Sequence, residues 1–316
     1  MGLLGESRDD LRVEKLEQRI RGSIRVRALL SHENARRVPG TARSVYYKWQ
    51  GTHWVLASLA ELGFPRGDKS LYALRDHALA LWLRPTFRRE FVALNRKDAS
   101  KTIGVPVLRG RARRCASQQG SALRYLSLLQ IGDDRAEELV RLLLKWQWPD
   151  GGWNCDKNPS ADTSSFMETL LPMRGLAAHA EASHDRSSRA AAKRAAEVFL
   201  SRRLYRRCSD GAPMSQDFLR LHYPLYYHYD VLGGLKGIGE AGMLRDPRTE
   251  EALDWLETRE LPDGGWPADA RFYRVSRTFS PASEFVDWGG TGGHRSNDWV
   301  TIEALSVLQA AGRLNV

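Results

Sequence analysis

Hydrophobic positions along the chain fall into two kinds of segment that alternate. Five segments are nearly apolar and rich in Gly, Ala and Leu: residues 46–62, 113–131, 162–178, 225–241 and 297–311. Four of them run into a glycine (Gly63, Gly132, Gly242 or Gly312), a residue suited to ending a helix. A helix without a polar face belongs in an interior, so these five predict helices buried all round. Between them, residues 71–83, 134–147, 187–205 and 247–260 are more charged and predict outer helices. Asp133-Asp134 and Asp246-Pro247 suit the starts of two of these, with acid or proline in the first turn. Residues 8–30 read as a charged amphipathic helix with Val13, Leu16, Ile20 and Ile24 on one face, and Pro39-Gly40 ends that section. Strand signals are weak. The pattern predicts an all-α protein of two concentric rings, about five helical hairpins with apolar helices inside and charged helices outside. Residues 1–40 would supply an N-terminal charged helix and linker packed on the ring, and residues 41–316 a single domain.

The joints between segments also repeat. Gln147-Trp148-Pro149-Asp150-Gly151-Gly152-Trp153 returns as Glu260-Leu261-Pro262-Asp263-Gly264-Gly265-Trp266. Proline blocks helix continuation, aspartate favours a turn and glycine supplies positive φ. The tryptophan that follows is a large apolar plate that must be buried. Recurrence of turn and plate is the signature of a repeat architecture. Gln147, Gly151 and Trp153 fit Gln-x-x-x-Gly-x-Trp, and Trp255-Leu256 stands ahead of Glu260, Gly264 and Trp266. These motifs are similar to the QW repeat of squalene–hopene and oxidosqualene cyclases, and to the related repeats of protein prenyltransferase β subunits. The resemblance spans residues 40–312 by helix order and reaches motif level in two copies. It implies an α/α toroid around a deep apolar cavity, and cyclisation or prenyl transfer on an isoprenoid. Two family features are missing. No Asp-x-Asp-Asp acid is present, and the Asp-x-Cys pair that holds zinc in prenyltransferases is replaced by Asn154-Cys155-Asp156.

Composition narrows the setting. No apolar run approaches the length of a bilayer span, and Met1 to Glu6 carries no signal-peptide core, so a soluble cytoplasmic protein is expected. Three widely spaced cysteines argue against a disulfide framework. A formal charge of +10 suits anionic partners such as a diphosphate or an acidic membrane surface, and equally a solvated arginine-rich exterior. The arginines are scattered over every outer helix, which argues against nucleic acid.

Several residues could carry chemistry. His222 to Asp230 (His-Tyr-Pro-Leu-Tyr-Tyr-His-Tyr-Asp) has the most unusual composition in the chain. At helical spacing Tyr226 shares a face with Asp230, and Tyr223 with Tyr227. Counting back from the terminal glycines puts Trp49, Gln118, His228 and Asp298 at equivalent levels. His228, Asp230 and Asp298 are therefore candidate acids or bases. Trp49, His53, Trp54, Gln118, Tyr226, Tyr227 and Trp299 are candidate cavity lining; the other account of these residues is a tyrosine-rich packing layer. Arg113 and Arg114 suit a diphosphate, or form part of a solvated basic loop. Cys155 and Asp156, with His228 or His294, could hold zinc, magnesium being the other ion considered; otherwise Cys155 is a buried thiol beside a capping acid. Ser165 and Glu168 have capping-box spacing. Residues 204–221 and 272–296 are long irregular connections, of the kind that carry function.

The sequence thus supports an enzyme of prenyltransferase or terpene-cyclase type acting on an isoprenoid or other apolar small molecule, with peripheral membrane contact compatible and no obligate protein partner evident. A non-catalytic toroid that binds a lipid, peptide or protein is the alternative.

Overall fold

A computed structural model describes residues 11–31, 45–276 and 280–314. Pro39-Gly40 and the expected boundary at residue 40 lie outside them. Among the described residues thirteen α-helices occur: α1 (Leu11–Arg21), α2 (Ile24–Ser31), α3 (Thr52–Glu61), α4 (Tyr72–Trp82), α5 (Pro85–Arg88), α6 (Arg96–Lys101), α7 (Ser117–Leu128), α8 (Asp134–Trp146), α9 (Phe166–Ser183), α10 (Arg186–Leu200), α11 (Val231–Glu240), α12 (Glu250–Glu257) and α13 (Asp298–Ala310). Five short strands interrupt them: β1 (Glu90–Val92), β2 (Val105–Leu108), β3 (Arg111–Ala112), β4 (Arg274–Val275) and β5 (Ser283–Glu284). The protein is predominantly helical, in keeping with the expected all-α character, and carries a few very short strands besides. None of the strands exceeds four residues, too few for a period of two to register. No helix among the described residues is long and apolar enough to cross a membrane.

Helix starts depart from the apolar pattern for local reasons. The helix expected over 8–30 breaks at Gly22 and Ser23 into α1 and α2. The segment 113–131 becomes helical only at Ser117, because Arg111–Ala112 pairs with β2. In 225–241 the helix waits for Asp230, whose side chain accepts from Gly233 N and caps α11. Tyr226 upstream takes φ of 51°, so no helix runs through it, and the predicted face sharing of Tyr223 with Tyr227 and of Tyr226 with Asp230 does not form. Ser165 gives no side-chain cap to α9; Glu168 turns to other partners. Conversely, Asp133 caps α8 through Arg135 N and Asn297 caps α13 through Trp299 N and Val300 N.

The chain divides into two compact units, Met1–Pro65 with Phe199–Val316, and Arg66–Val198. In the second, α7 and α9 meet backbone to backbone. A Cβ built on Gly120 would stand 2.3 Å from Pro172 N, and one on Gly175 would stand 2.3 Å from Gly120 O. Two glycines facing each other allow an approach that any side chain would block. Pro172 sits inside α9 at this contact.

Each unit contains one copy of the repeated turn, and the two copies share one hydrogen-bond scheme. Trp153 Nε1 donates to Leu143 O at 3.1 Å, and Trp266 Nε1 to Leu256 O at 2.8 Å. Both carbonyls lie in the last turn of the preceding helix, where intrahelical donors run out; Leu256 O also accepts from Arg259 N at 3.1 Å. On the far side, Thr169 Oγ1 accepts from Trp153 N at 3.2 Å and Thr301 Oγ1 from Trp266 N at 2.9 Å. The N-cap residues of the next helices close the link, Ser165 N donating to Trp153 O at 2.9 Å and Asn297 N to Trp266 O at 2.8 Å. The buried plate thus joins the end of one helix to the start of the next. Gln147 adds a tie in the first copy, Nε2 donating to Gly151 O at 2.6 Å and to Ala191 O at 2.9 Å. Glu260 in the second copy is acceptor-only when ionised and has no such donor to offer.

Candidate functional site

Two groups of side chains, one in each unit, have the composition of a site. The first is an aromatic wall around Trp49. Trp49 N is held by Ser283 O at 3.1 Å, and its Nε1 donates to Phe272 O at 2.9 Å. The indole stacks on Tyr226 with centroids 3.8 Å apart and planes at 8°. Trp54 meets Trp49 edge-on at 4.8 Å, and His53 meets Trp54 edge-on at 4.8 Å. Tyr227 and His228 lie 5.5 and 5.7 Å from Trp49, and His228 stacks on Phe272 at 3.5 Å. Lys48 Nζ reaches the Tyr227 hydroxyl and lies 4.5 Å above that ring. Burial pushes His53 down to about 3 and His228 down to about 4, so both imidazoles are neutral at pH 7.

One carboxyl group is buried beside this wall. Glu284, 0% exposed, accepts from Tyr226 Oη at 2.9 Å and from Phe285 N at 2.8 Å. Burial outweighs these hydrogen bonds and pushes the group up from 4.5 to about 7. A carboxyl balanced between its two protonation states can give or take a proton near neutral pH. The sign of the stability effect follows. The folded chain retains a proton here that the unfolded chain releases, so the contribution is full below pH 4.5 and is lost as pH rises to about 7. Over that window the wild type is expected to lose on the order of 3 kcal/mol that Glu284→Gln does not lose. Urea midpoints of both proteins at pH 4.5, 5.5, 6.5 and 7.5 measure it; parallel profiles would rule out Glu284 as the titrating group.

Asp230, a candidate acid, is committed elsewhere. Its carboxylate accepts from Gly233 N at 2.7 Å and from His222 N at 2.9 Å, with His222 Nδ1 at 3.5 Å. It closes the segment before α11 onto the helix start. Asp298 is solvent-exposed in the first turn of α13. Trp299 belongs to a different aromatic group, stacked on Tyr223 at 5.3 Å and edge-on to Trp288 at 5.3 Å. Gln118 lies in the other unit, where its Oε1 accepts from Arg114 Nη2 at 2.7 Å. Of the four residues expected at one level, the structure brings Trp49 and His228 together.

The second group surrounds the first repeated turn. Arg113 N donates to Pro106 O at 2.8 Å, and Arg113 bridges to Asn154, just beyond Trp153. Its guanidinium lies 4.4 Å above Trp148. Arg113 is 3% exposed, yet its Nε, Nη1 and Nη2 have no hydrogen-bond partner among the described residues. Arg114, next in the chain, points elsewhere, bonding Gln118 and lying 4.7 Å above Phe87. Burial, then Arg111, lowers Arg113, though from so high a value that it stays charged at neutral pH. A buried, charged fork with all three nitrogens unsatisfied has the donors that an anion would need.

Beside it, Cys115, Cys155 and Glu168 form a cluster with all three ligand-type atoms within 4.8 Å of one another. Cys155 Sγ donates to Glu168 Oε1 at 3.3 Å, and Ser117 N donates to Glu168 Oε2 at 3.1 Å. The hydrogen bond from Cys155 is the first of the causes that lower the Cys115 thiol, while Cys155 itself is raised. The expected set of Cys155, Asp156 and His228 is corrected here. Asp156 is exposed and its Oδ1 accepts from Asn158 N at 2.9 Å in a local turn. His228 stands in the aromatic wall of the other unit, and His294 is exposed. Adjacent residues in an extended loop point apart, which separates Asp156 from Cys155.

Residues that the sequence did not single out are Lys48, Phe272 and Glu284 in the first group, and Cys115 in the second. Glu168 is legible in the sequence only as a possible helix cap. No spacing rule links any of these to its neighbours. No protein-family model matches the chain, and no curated protein matches it.

Proposed function

We propose that the chain is an α/α toroid of the cyclase–prenyltransferase type that acts on an isoprenoid or similarly apolar substrate. What carries the proposal is the wall of Trp49, Tyr226, Tyr227, His228 and Phe272 beside one buried carboxyl, Glu284, balanced near neutral pH. Aromatic faces bind polyene chains and stabilise developing carbocations, and Glu284 supplies a proton donor or acceptor of matched strength. The shared hydrogen-bond scheme of the two tryptophan plates supports a repeat architecture of this kind. Arg113 is the residue assigned to a diphosphate.

The alternative, a non-catalytic toroid that binds a lipid, peptide or protein, is favoured by one observation: Asp230 is occupied in capping α11. Nucleic acid is disfavoured, because many surface arginines are already paired, Arg135 with Asp133, Arg248 with Asp246, and Arg313 with Asp254 and Glu257.

Arg113 gives the test its sharpest form. The guanidinium has no hydrogen-bond partner among the described residues, so Arg113→Met is expected to leave the ligand-free protein folded and without a large loss of stability. The same change removes binding of inorganic pyrophosphate, followed by thermal shift and tryptophan fluorescence on the full chain, and binding of farnesyl diphosphate to the wild type is followed by the same signals. Binding of farnesyl diphosphate with formation of a cyclised or transferred product supports the enzyme, and binding without conversion supports the alternative. If farnesyl diphosphate leaves both signals unchanged and no isoprenoid is extracted from the purified protein, the isoprenoid assignment is wrong.

A further inference from the structure

We infer that Cys115, Cys155 and Glu168 form a binding site for zinc, with three protein ligands and one coordination position left open. The three ligand atoms already lie within 4.8 Å of one another, and Cys155 Sγ stands 3.3 Å from Glu168 Oε1. In a tetrahedral site with ordinary Zn–S and Zn–O bonds, sulfurs stand about 3.8 Å apart and sulfur and oxygen about 3.6 Å. Small side-chain rotations therefore close the cluster onto a metal.

The scaffold holds each ligand by a separate means. Cys115 precedes α7, and Glu168 lies in the first turn of α9, two helices in backbone contact at Gly120 and Gly175. Cys155 follows Trp153, which Thr169 and Leu143 O fix in place. Glu168 Oε2 is held by Ser117 N, which leaves Oε1 towards the sulfurs. Such an outer hydrogen bond is what orients a ligating carboxylate.

The donor set selects the ion. Two thiolates and one carboxylate suit zinc, whereas magnesium requires oxygen ligands throughout. Binding displaces the thiol protons to solvent and leaves the site with a net charge of −1, from two thiolates, one carboxylate and a divalent cation. Arg114, whose charge acts on Cys115, offsets that charge. Three protein ligands with an open fourth position is the arrangement of zinc sites that bind water or substrate. The inference does not depend on the isoprenoid proposal, because metal content is measured without substrate.

The full chain, produced in zinc-supplemented medium, is expected to carry about one zinc per chain by elemental mass spectrometry. Thiol titration should find Cys208, the exposed cysteine, reactive and the other two protected, with all three reactive after chelation. Cobalt added to the stripped protein should give thiolate-to-metal charge-transfer bands in the near ultraviolet. Cys155→Ser should lose the zinc and the bands, and Cys208→Ser should keep both. The chelation and cobalt measurements use the wild type, so they hold even if Cys155→Ser fails to fold. Substoichiometric zinc without a cobalt–thiolate band overturns the site. So does a Cys115–Cys155 disulfide in the intact mass of the freshly purified protein.

Discussion

Replacing Gly120 with alanine is expected to destabilise the Arg66–Val198 unit by about 3 kcal/mol or more. The added methyl would fall 2.3 Å from Pro172 N and 2.5 Å from Pro172 Cα. Both obstacles are backbone, so no rotamer change relieves the clash, and α7 and α9 must separate along their contact. Gly175→Ala meets the same contact from the other side, 2.3 Å from Gly120 O. Once one methyl has parted the helices the second costs little, so the double variant should fall well short of the sum. Gly132→Ala is the control: its nearest neighbour would be Ala136 Cβ at 3.6 Å, and its effect should stay within about 0.5 kcal/mol. Urea denaturation followed by far-ultraviolet circular dichroism reads all four. Equal midpoints for Gly120→Ala and Gly132→Ala would mean that the helices do not approach as described.

Trp153→Ala and Trp266→Ala should each cost about 3–5 kcal/mol, the range for truncating a large buried aromatic side chain. Both are 1% exposed, and each joins the end of one helix to the start of another. Phenylalanine separates the two contributions. It keeps most of the buried area and removes the indole N–H, so that Leu143 O loses that donor while Leu256 O keeps the bond from Arg259 N at 3.1 Å. That loss should be about 1–3 kcal/mol in the first copy, and smaller in the second, where Arg259 N still satisfies Leu256 O. Gln147→Glu and Glu260→Gln complete the comparison. The first removes the donor to Gly151 O and Ala191 O and should destabilise; the second should be neutral or stabilising. A larger loss for Trp266→Phe than for Trp153→Phe would show that the indole bonds do not contribute as described.

The zinc cluster and the arginine beside it show why a site can escape sequence inspection. Arg113 and Arg114 are indistinguishable as letters. Their opposite fates come from the extended backbone after β3, where consecutive side chains face opposite ways: Arg113 enters the interior and Arg114 goes to Gln118 and Phe87. Cys155 was recognisable as a candidate ligand, but its partners were not. Asp156 is its neighbour in sequence and turns away, while Cys115 and Glu168 come to it through the α7–α9 contact. Glu168 stood in capping-box register with Ser165, yet its carboxylate bonds Ser117 N in another helix. In the aromatic wall, composition pointed to Tyr226, Tyr227 and His228. Phe272 and Glu284 lie in an irregular stretch without periodicity, and the pairing of β4 with β5 together with the bonds from Trp49 N to Ser283 O, from Trp49 Nε1 to Phe272 O and from Ala282 N to Lys48 O bring that stretch to the wall.

What the sequence determined by itself was the alternation of apolar and charged helices, the caps at Asp133 and Asp246, and the recurrence of a turn followed by a tryptophan plate. These are local properties: burial period, missing N–H groups and positive φ are set within a few residues. The sequence did not determine that α13 is buried on one face only, with Ile302 exposed on the other. The tertiary structure decided which polar side chains meet: Glu284 with Tyr226, Cys115 with Cys155 and Glu168, and Arg113 with no hydrogen-bonding group among the described residues. Each pairing spans tens of residues, and either partner could sit in its own segment without changing that segment's pattern. A local pattern states what a segment must bury, and only the packed fold states against what.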